Sequence, residues 1–294
     1  MLKFFDPILW FLLLKRVYNK KVVKKDNKKF YEIVNQQHSS FPRQTGSVLF
    51  YPELPKQKAA LSATFLSLGY TIHNDPLQPA DFMISWEDTT YKKDEAQQYA
   101  MLKKAWNIGC LDIGKTKTDE VFEKVFGYST RVDPMRHQGR MLEKSEINAM
   151  HEATIISGPI NKPKDGYIYQ LVLNNKVKGY LYEDVRVTYI NGDIPFCYLN
   201  YRLKGKRFSN KKYSARLVEK SEVLSPHEER LIREFCKEMK VNYAEMDCIR
   251  NRDDDRLYII DVNTTAFGPA NGLRLKEKLK GLKLYQEAVK SHLK

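Results

Sequence analysis

The chain has 294 residues and a formal net charge of +14. That length suits one large domain or two to three small ones, with a substantial buried core. Its four cysteines, Cys110, Cys197, Cys236 and Cys248, form no C-x-x-C pair and no ligand cluster, which excludes a zinc module and a disulfide scaffold and suits a reducing cytoplasm. The charge sits at the ends. Residues 15–29 hold eight Lys/Arg against one Asp, and residues 273–294 hold seven Lys/Arg against two Glu. The body between them is near neutral and offers no basic face for nucleic acid.

Residues 8–14 are wholly apolar, and Phe4 and Phe5 precede them. The run is too short to span a bilayer, which takes about 20 residues. Its positive charges follow rather than precede it, so it is a poor signal peptide. Two readings stay open. A short apolar helix and a polybasic stretch, residues 4–29 together, suit peripheral contact with the inner face of the cytoplasmic membrane. The plain alternative is a core helix followed by a solvated Lys-rich linker.

Residues 47–51 read as a strand and 56–68 as a helix, with Gly69 placed as its C-cap. Residues 70–73 and 81–86 read as further strands, giving a small α/β unit over 46–106. Residues 118–126 read as a helix, 139–144 as a turn and strand, and 166–173 as a strong strand. Residues 182–190 form another strand, turning at Asn191-Gly192-Asp193 into 194–199. Ser225, Pro226 and Glu228 mark a helix start as N-cap, N1 and N3. That helix runs to about Met239 and feeds a strand at 244–250.

A second strand, 257–263, follows the polar turn 251–256. As an antiparallel pair these strands can bring Asp247, Asp261 and Asn263 to one surface. Asp261 and Asn263 are two apart and share a face. Two carboxylates and an amide oxygen are hard ligands that suit Mg2+ carrying phosphates. The plain alternative is a strand-terminal Asp in an Asx turn, with Asp247 exposed. Lys115 and Lys144 can each hold a phosphate as a point charge, or stand as ordinary surface lysines. Arg186, in Asp184-Val185-Arg186, can clamp a carboxylate or phosphate, or form a cross-strand salt bridge with Asp184 or a neighbour. Arg202, Lys204, Lys206 and Arg207 form a basic segment that can reach a transferring phosphoryl group or stay a solvated loop. There is no P-loop, no G-x-G-x-x-G after a strand and no G-x-S-x-G, and the six histidines are scattered.

In chain order, two lysines, a Tyr-Gln-apolar strand, an Asp-x-Arg strand, a basic loop and two Asp-bearing strands ending in Asp261-Val262-Asn263 resemble the ATP-grasp superfamily over about residues 107–273. Within it the chain is similar to a poorly characterised bacterial branch associated with surface-polysaccharide genes. The resemblance implies an α/β (α+β) ATP-grasp fold with four parts: an N-terminal segment (1–45), a pre-grasp domain (46–106), a lid (107–170) and a C-terminal subdomain (171–294). It also implies ATP and Mg2+ as cofactors. Lys115, Lys144 and the adjoining Ser145 would meet the nucleotide from the lid. Gln170, Leu171 and Val172 would be the hinge whose backbone bonds adenine. Arg186 and Arg207 would neutralise the γ-phosphate and an acyl phosphate, and Asp247, Asp261 and Asn263 would hold the metal. The chain departs from many members in having no glycine over 145–153 and Asp rather than Glu at 261. The implied activity is a carboxylate–amine ligase, joining an amino acid or amine to a sugar acid of a surface glycan. A phosphotransferase on the same site and a non-catalytic binding module are the alternatives.

Overall fold

The computed structural model describes residues 20–94, 99–148, 150, 153–177, 181–208, 212–270 and 272–293. The apolar run at 8–14 and the expected membrane contact of residues 4–19 lie outside them. Residues 20–29 are not a linker. They open helix α1 (Lys20–Ser39), which buries Val23, Phe30 and Val34.

Strands β1 (Gly46–Pro52), β2 (Tyr70–His73) and β3 (Phe82–Trp86) form a parallel sheet in the order β2-β1-β3. Helix α2 (Ala60–Ser67) connects β1 to β2. It starts four residues later than the sequence suggests. The Ala60 N–H donates to Ala266 O at 3.2 Å, so a distant loop takes a donor from its first turn. Gly69, at φ +82°, ends it in the left-handed conformation expected of that position.

Helix α3 (Lys115–Phe126) leads to a second, antiparallel sheet of β4 (Gly139–Ser145), β5 (Ala153–Gly158) and β6 (Tyr167–Leu171), ordered β5-β4-β6. The third sheet is antiparallel throughout. It contains β7 (Lys176–Val177), β8 (Leu181–Ile190), β9 (Cys197–Leu203), β10 (Ser214–Val218), β11 (Tyr243–Arg250) and β12 (Leu257–Asn263). The order is β10-β9-β8-β11-β12, with β7 also on β8. At the turn after β8, Asn191 and Gly192 take φ +40° and +99°, while Ile190 and Asp193 exchange both backbone bonds at 2.9 Å. This is the primed turn that an Asn-Gly pair favours. Pro195 has no N–H for the ladder, and the regular register of β9 on β8 begins at Cys197.

Helix α4 (Pro226–Glu238) starts as expected: Ser225 and Glu228 form a reciprocal capping box. Helix α5 (Leu275–Lys290) closes the described chain and packs beside α1 and α2.

Alternation along the strands gives the large sheet two different faces. Val185, Val187, Tyr189, Met246 and Cys248 point to one side, where α3 and α4 cover them with Phe122, Ile232 and Phe235. Asp184, Arg186, Thr188, Glu245 and Asp247 point to the other. There Ile190, Phe196, Tyr198 and Tyr243 are covered by Trp86, Trp106 and Tyr285 of the parallel sheet, the segment after it and α5. The polar half of that second face is left facing a cleft under the β4–β6 sheet. Phe235 is fully buried on the apolar side. Phe235→Ala should therefore cost about 3–5 kcal/mol of stability, read as a lower urea midpoint at constant slope.

Candidate active site

The site is built on one register line across three strands. Arg186 of β8 stands opposite Asp247 of β11, and Asp247 stands opposite Asp261 of β12. Directly paired residues project to the same face, so the line sets a guanidinium and two carboxylates side by side. Past Asp247 the register shifts: Cys248 pairs with Ile259, leaving Ile260 without a partner. Such a bulge bends its strand and re-aims the side chains next to it.

Asp247 is held by two bonds from one guanidinium. Arg186 Nε donates to Oδ1 at 2.7 Å and Nη2 to Oδ2 at 2.9 Å, while Nη1 donates to Glu245 Oε2 at 3.2 Å. The side chains are only 14% (Arg186), 18% (Asp247) and 1% (Glu245) exposed. Burial alone would push the Asp247 carboxyl up, but Arg186 outweighs it and holds the group well below the usual carboxylate range. The cross-strand bridge weighed for Arg186 thus exists, with Asp247 and Glu245 as its partners. Asp184 is paired instead with Arg202 and accepts from Asn175 Nδ2 at 2.7 Å.

Asp261 is in the opposite condition. Among the described residues its carboxylate has no hydrogen bond and no ion pair within 4 Å. Burial and the neighbouring Asp247 raise it to about 6, against the pull of Lys115 and Lys144. A carboxylate that lacks a donor, beside a second carboxylate with lone pairs to spare, fits a cation shared between them. Among the described residues no three His, Cys, Asp or Glu side chains converge into a metal site of their own. The fit is therefore to a hard cation that also takes oxygens from a substrate. Asn263 shares the face but not the cavity. Its Oδ1 accepts from Thr265 N at 2.9 Å, so it makes the Asx turn that the plain alternative assigned to an Asp.

A cavity of about 190 Å3 opens between this line and the β4–β6 sheet. Lys115, Lys144, Ser145, Gln170, Leu171, Val172, Arg207, Asp247 and Asp261 all line it, and Arg186 stands behind Asp247. Lys144 shares a face of β4 with Leu142, which pairs with Gln170. Burial pulls the Lys144 ammonium down to about 8, with Asp261 resisting and Lys115 and Arg207 adding to the fall. The Gln170 amide is occupied, donating to Thr130 Oγ1 at 2.7 Å, and Thr130 is bound in turn to the buried Asp119. The Val172 N–H and C=O have no partner among the described residues, so its backbone is the free part of residues 170–172.

Two expected residues of the cavity are already engaged by protein groups. Arg207 is held beside Leu173: Nη2 donates to Leu173 O, and the guanidinium lies over the Tyr182 and Phe208 rings at 4.8 and 5.1 Å. It is not among the carboxylates. The Lys115 ammonium is engaged by the loop after β4, donating to Glu146 O at 3.4 Å, Ile147 O at 3.2 Å and Asn148 Oδ1 at 2.9 Å. The Glu146 carboxylate accepts from Thr116 N and Oγ1, both at 2.9 Å, across the start of α3. It passes 2.6 Å from where a Cβ on Gly114 would stand, so an alanine there would make the carboxylate shift. Lys212, not singled out in the sequence, lies near Arg186, Asp247 and Glu245; burial and Arg186 pull its ammonium down to about 7. Nothing local marked it, because its loop carries several equivalent lysines.

No family model matches the chain, and no curated protein matches it. Solved structures do. The ATP-grasp ligase PsnB complexed with precursor peptide PsnA2 and AMPPNP aligns at TM-score 0.53 and 11% identity, over 86% of this chain and 99% of that one. PsnB complexed with minimal precursor, Mg and ADP aligns at 0.53 and 11%, over 84% and 97%. The D-alanine–D-alanine ligase of Bacillus anthracis complexed with ATP aligns at 0.47 and 14%, over 84% and 96%. None of these bears on surface polysaccharides. At such identities the likeness is one of architecture: this chain has the ATP-grasp fold.

Proposed function

We propose that the protein is an ATP-dependent ligase that joins a carboxylate to an amine through an acyl phosphate. The observation that carries this is the unpartnered Asp261 beside the Arg186-bound Asp247, facing a lysine-lined cavity. ATP would occupy that cavity with its base at Val172 and its phosphates toward Lys144 and Lys115. Mg2+ would be held by Asp247 and Asp261 and would neutralise phosphate charge, while Asn263, expected from the sequence as a further ligand, is engaged with Thr265.

In the reaction a substrate carboxylate oxygen bonds to the γ-phosphorus as the bond to ADP breaks. The amine nitrogen then bonds to the acyl carbon, phosphate leaves and the nitrogen loses a proton. The protein positions and neutralises: Lys144, Lys115, Lys212 and Arg202 supply positive charge around the row, and Arg186 keeps Asp247 ionised. No cysteine competes as a nucleophile. All four are buried, and burial raises the Cys110 thiol to about 11 and Cys197 to about 12. The parts we propose are a pre-grasp domain at 46–106, a lid at 107–170 and a C-terminal subdomain at 171–294, with 1–45 preceding them. A sugar acid as the carboxylate rests on the sequence resemblance alone.

A panel of hexuronic acids and amino acids with amine partners tests the chemistry. Sustained phosphate release should need both an acid and an amine, and 18O in the carboxylate should appear in the phosphate. ADP formation with one substrate alone, leaving a stable phosphorylated product, would establish a phosphotransferase instead. Absence of any Mg-ATP-dependent thermal shift at millimolar ATP would overturn the nucleotide site itself.

Asp261 gives a pH prediction. Its folded pKa is raised from 3.8 to about 6, so the folded state binds that proton more tightly than the unfolded one. Its contribution is therefore most favourable below about pH 4 and is lost as pH rises through 6. Asp261→Asn should stabilise the ligand-free protein at pH 7.5 by about 3 kcal/mol and leave it nearly unchanged near pH 4. The same variant should abolish the Mg-ATP shift. In wild type that shift should be largest between about pH 6 and 8, where Asp261 is ionised and Lys144 still protonated.

A further inference from the structure

Helix α1 has two sides. Phe30 and Val34 pack against α2 and α5 and Val23 is buried on the same side, while Lys24, Lys25, Lys28 and Lys29 are exposed on the opposite side. The one acid among these lysines, Asp26, is turned away from them. Its Oδ2 accepts from Arg274 Nε at 2.7 Å and from Leu275 N at 3.2 Å, where α5 begins. Helix α5 sorts its charges likewise. Lys278 is 1% exposed, its ammonium donating to Ala270 O at 2.9 Å and Pro269 O at 3.4 Å, and Glu277 accepts inward from Leu217 N at 3.1 Å. Lys276, Lys280, Lys283 and Lys290 stay exposed. Some are paired with exposed acids on the same faces, Lys28 with Glu32, Lys280 with Glu219 and Lys283 with Glu287, which leaves Lys24, Lys25, Lys29, Lys276 and Lys290 in excess. Two basic segments from opposite ends of the sequence thus lie side by side with basic solvent faces.

We propose that the α1–α5 face docks on an anionic lipid bilayer. Charge complementarity calls for an extended anionic surface, and the chain leading into α1 says which. Lys15, Arg16 and the apolar residues 8–14 come directly before it, and a bilayer accepts such a run where an acidic soluble protein gains nothing from it. Folding adds to the sequence pattern a second row of lysines from α5 and removes Asp26 from the contact. This face does not depend on the ligase reading, because docking is measured without nucleotide.

The test is co-sedimentation of the full chain with vesicles. The protein should pellet with phosphatidylglycerol–phosphatidylcholine vesicles and not with phosphatidylcholine alone, and added salt should release it. Replacing Lys24, Lys25, Lys28 and Lys29 together with Gln should weaken binding at least ~100-fold, and Lys276→Gln with Lys290→Gln roughly 10-fold. Thermal unfolding should be unchanged, since these side chains are exposed. Should the fourfold variant fail to fold, the salt series on the wild-type chain decides alone. Equal binding to both vesicle types, salt-insensitive binding or full affinity in the fourfold variant would overturn the proposal. So would equally tight binding to soluble polyglutamate, which would assign the face to an acidic polypeptide.

Discussion

The Arg186 guanidinium is the group on which the polar half of the large sheet depends. It lies between Asp247 and Glu245, gives two bonds to the first and one to the second, and is itself nearly buried. Two carboxylates cannot share such a place without a cation. Taking one partner from a buried pair costs about 3–5 kcal/mol, because the charge left behind is uncompensated. Arg186 offsets this for Asp247 and Glu245 but does not touch Asp261. The electrostatic balance is therefore closed on two acids and open on the third. That asymmetry gives the site its capacity for a further cation.

The open carboxylate is kept open by construction. Asp261 is fixed by its ladder pairing with Asp247 and by the bulge at Ile260, so it cannot swing away to find a donor. On the other face the same strands pack Val185, Val187, Met246 and Cys248 against α3 and α4, which locks the register. A slip of one residue would send every acid into that apolar layer. The core on one side thus sets the geometry of the charges on the other. The Lys115–Glu146–Thr116 contacts then join the start of α3 to the loop after β4, so the lysines of the cavity come from both of its walls.

The same sorting of charge operates at the ends of the chain. Asp26 and Lys278 are single charges of opposite sign on two helices, and both are turned inward, where Arg274 and backbone carbonyls satisfy them. What remains outside carries more lysines than acids. Helix packing, rather than composition alone, makes the outward face more basic than the segments that form it.

The strands that carry Asp247, Arg186 and Asp261, the Asn191-Gly192 turn, the Ser225–Glu228 cap and the glycine after α2 were legible in the sequence, because each is written in local periodicity or local backbone preference. Strands β5 and β10 and helix α5 were not. Residues 153–158 follow a polar run, and 214–218 and 275–290 sit in Lys-rich surroundings that mask their period. The site divides in the same way. Residue type and spacing determined that two acids would share a face and which lysines stood near the ATP-grasp order. Only the tertiary structure decided that Arg186 belongs to Asp247 and Glu245 rather than Asp184. It also placed Arg207 on Leu173 and the Tyr182 ring and brought Lys212 to the acids. Pairings of this kind link residues dozens of positions apart, and their energies depend on burial, which no local window of sequence contains.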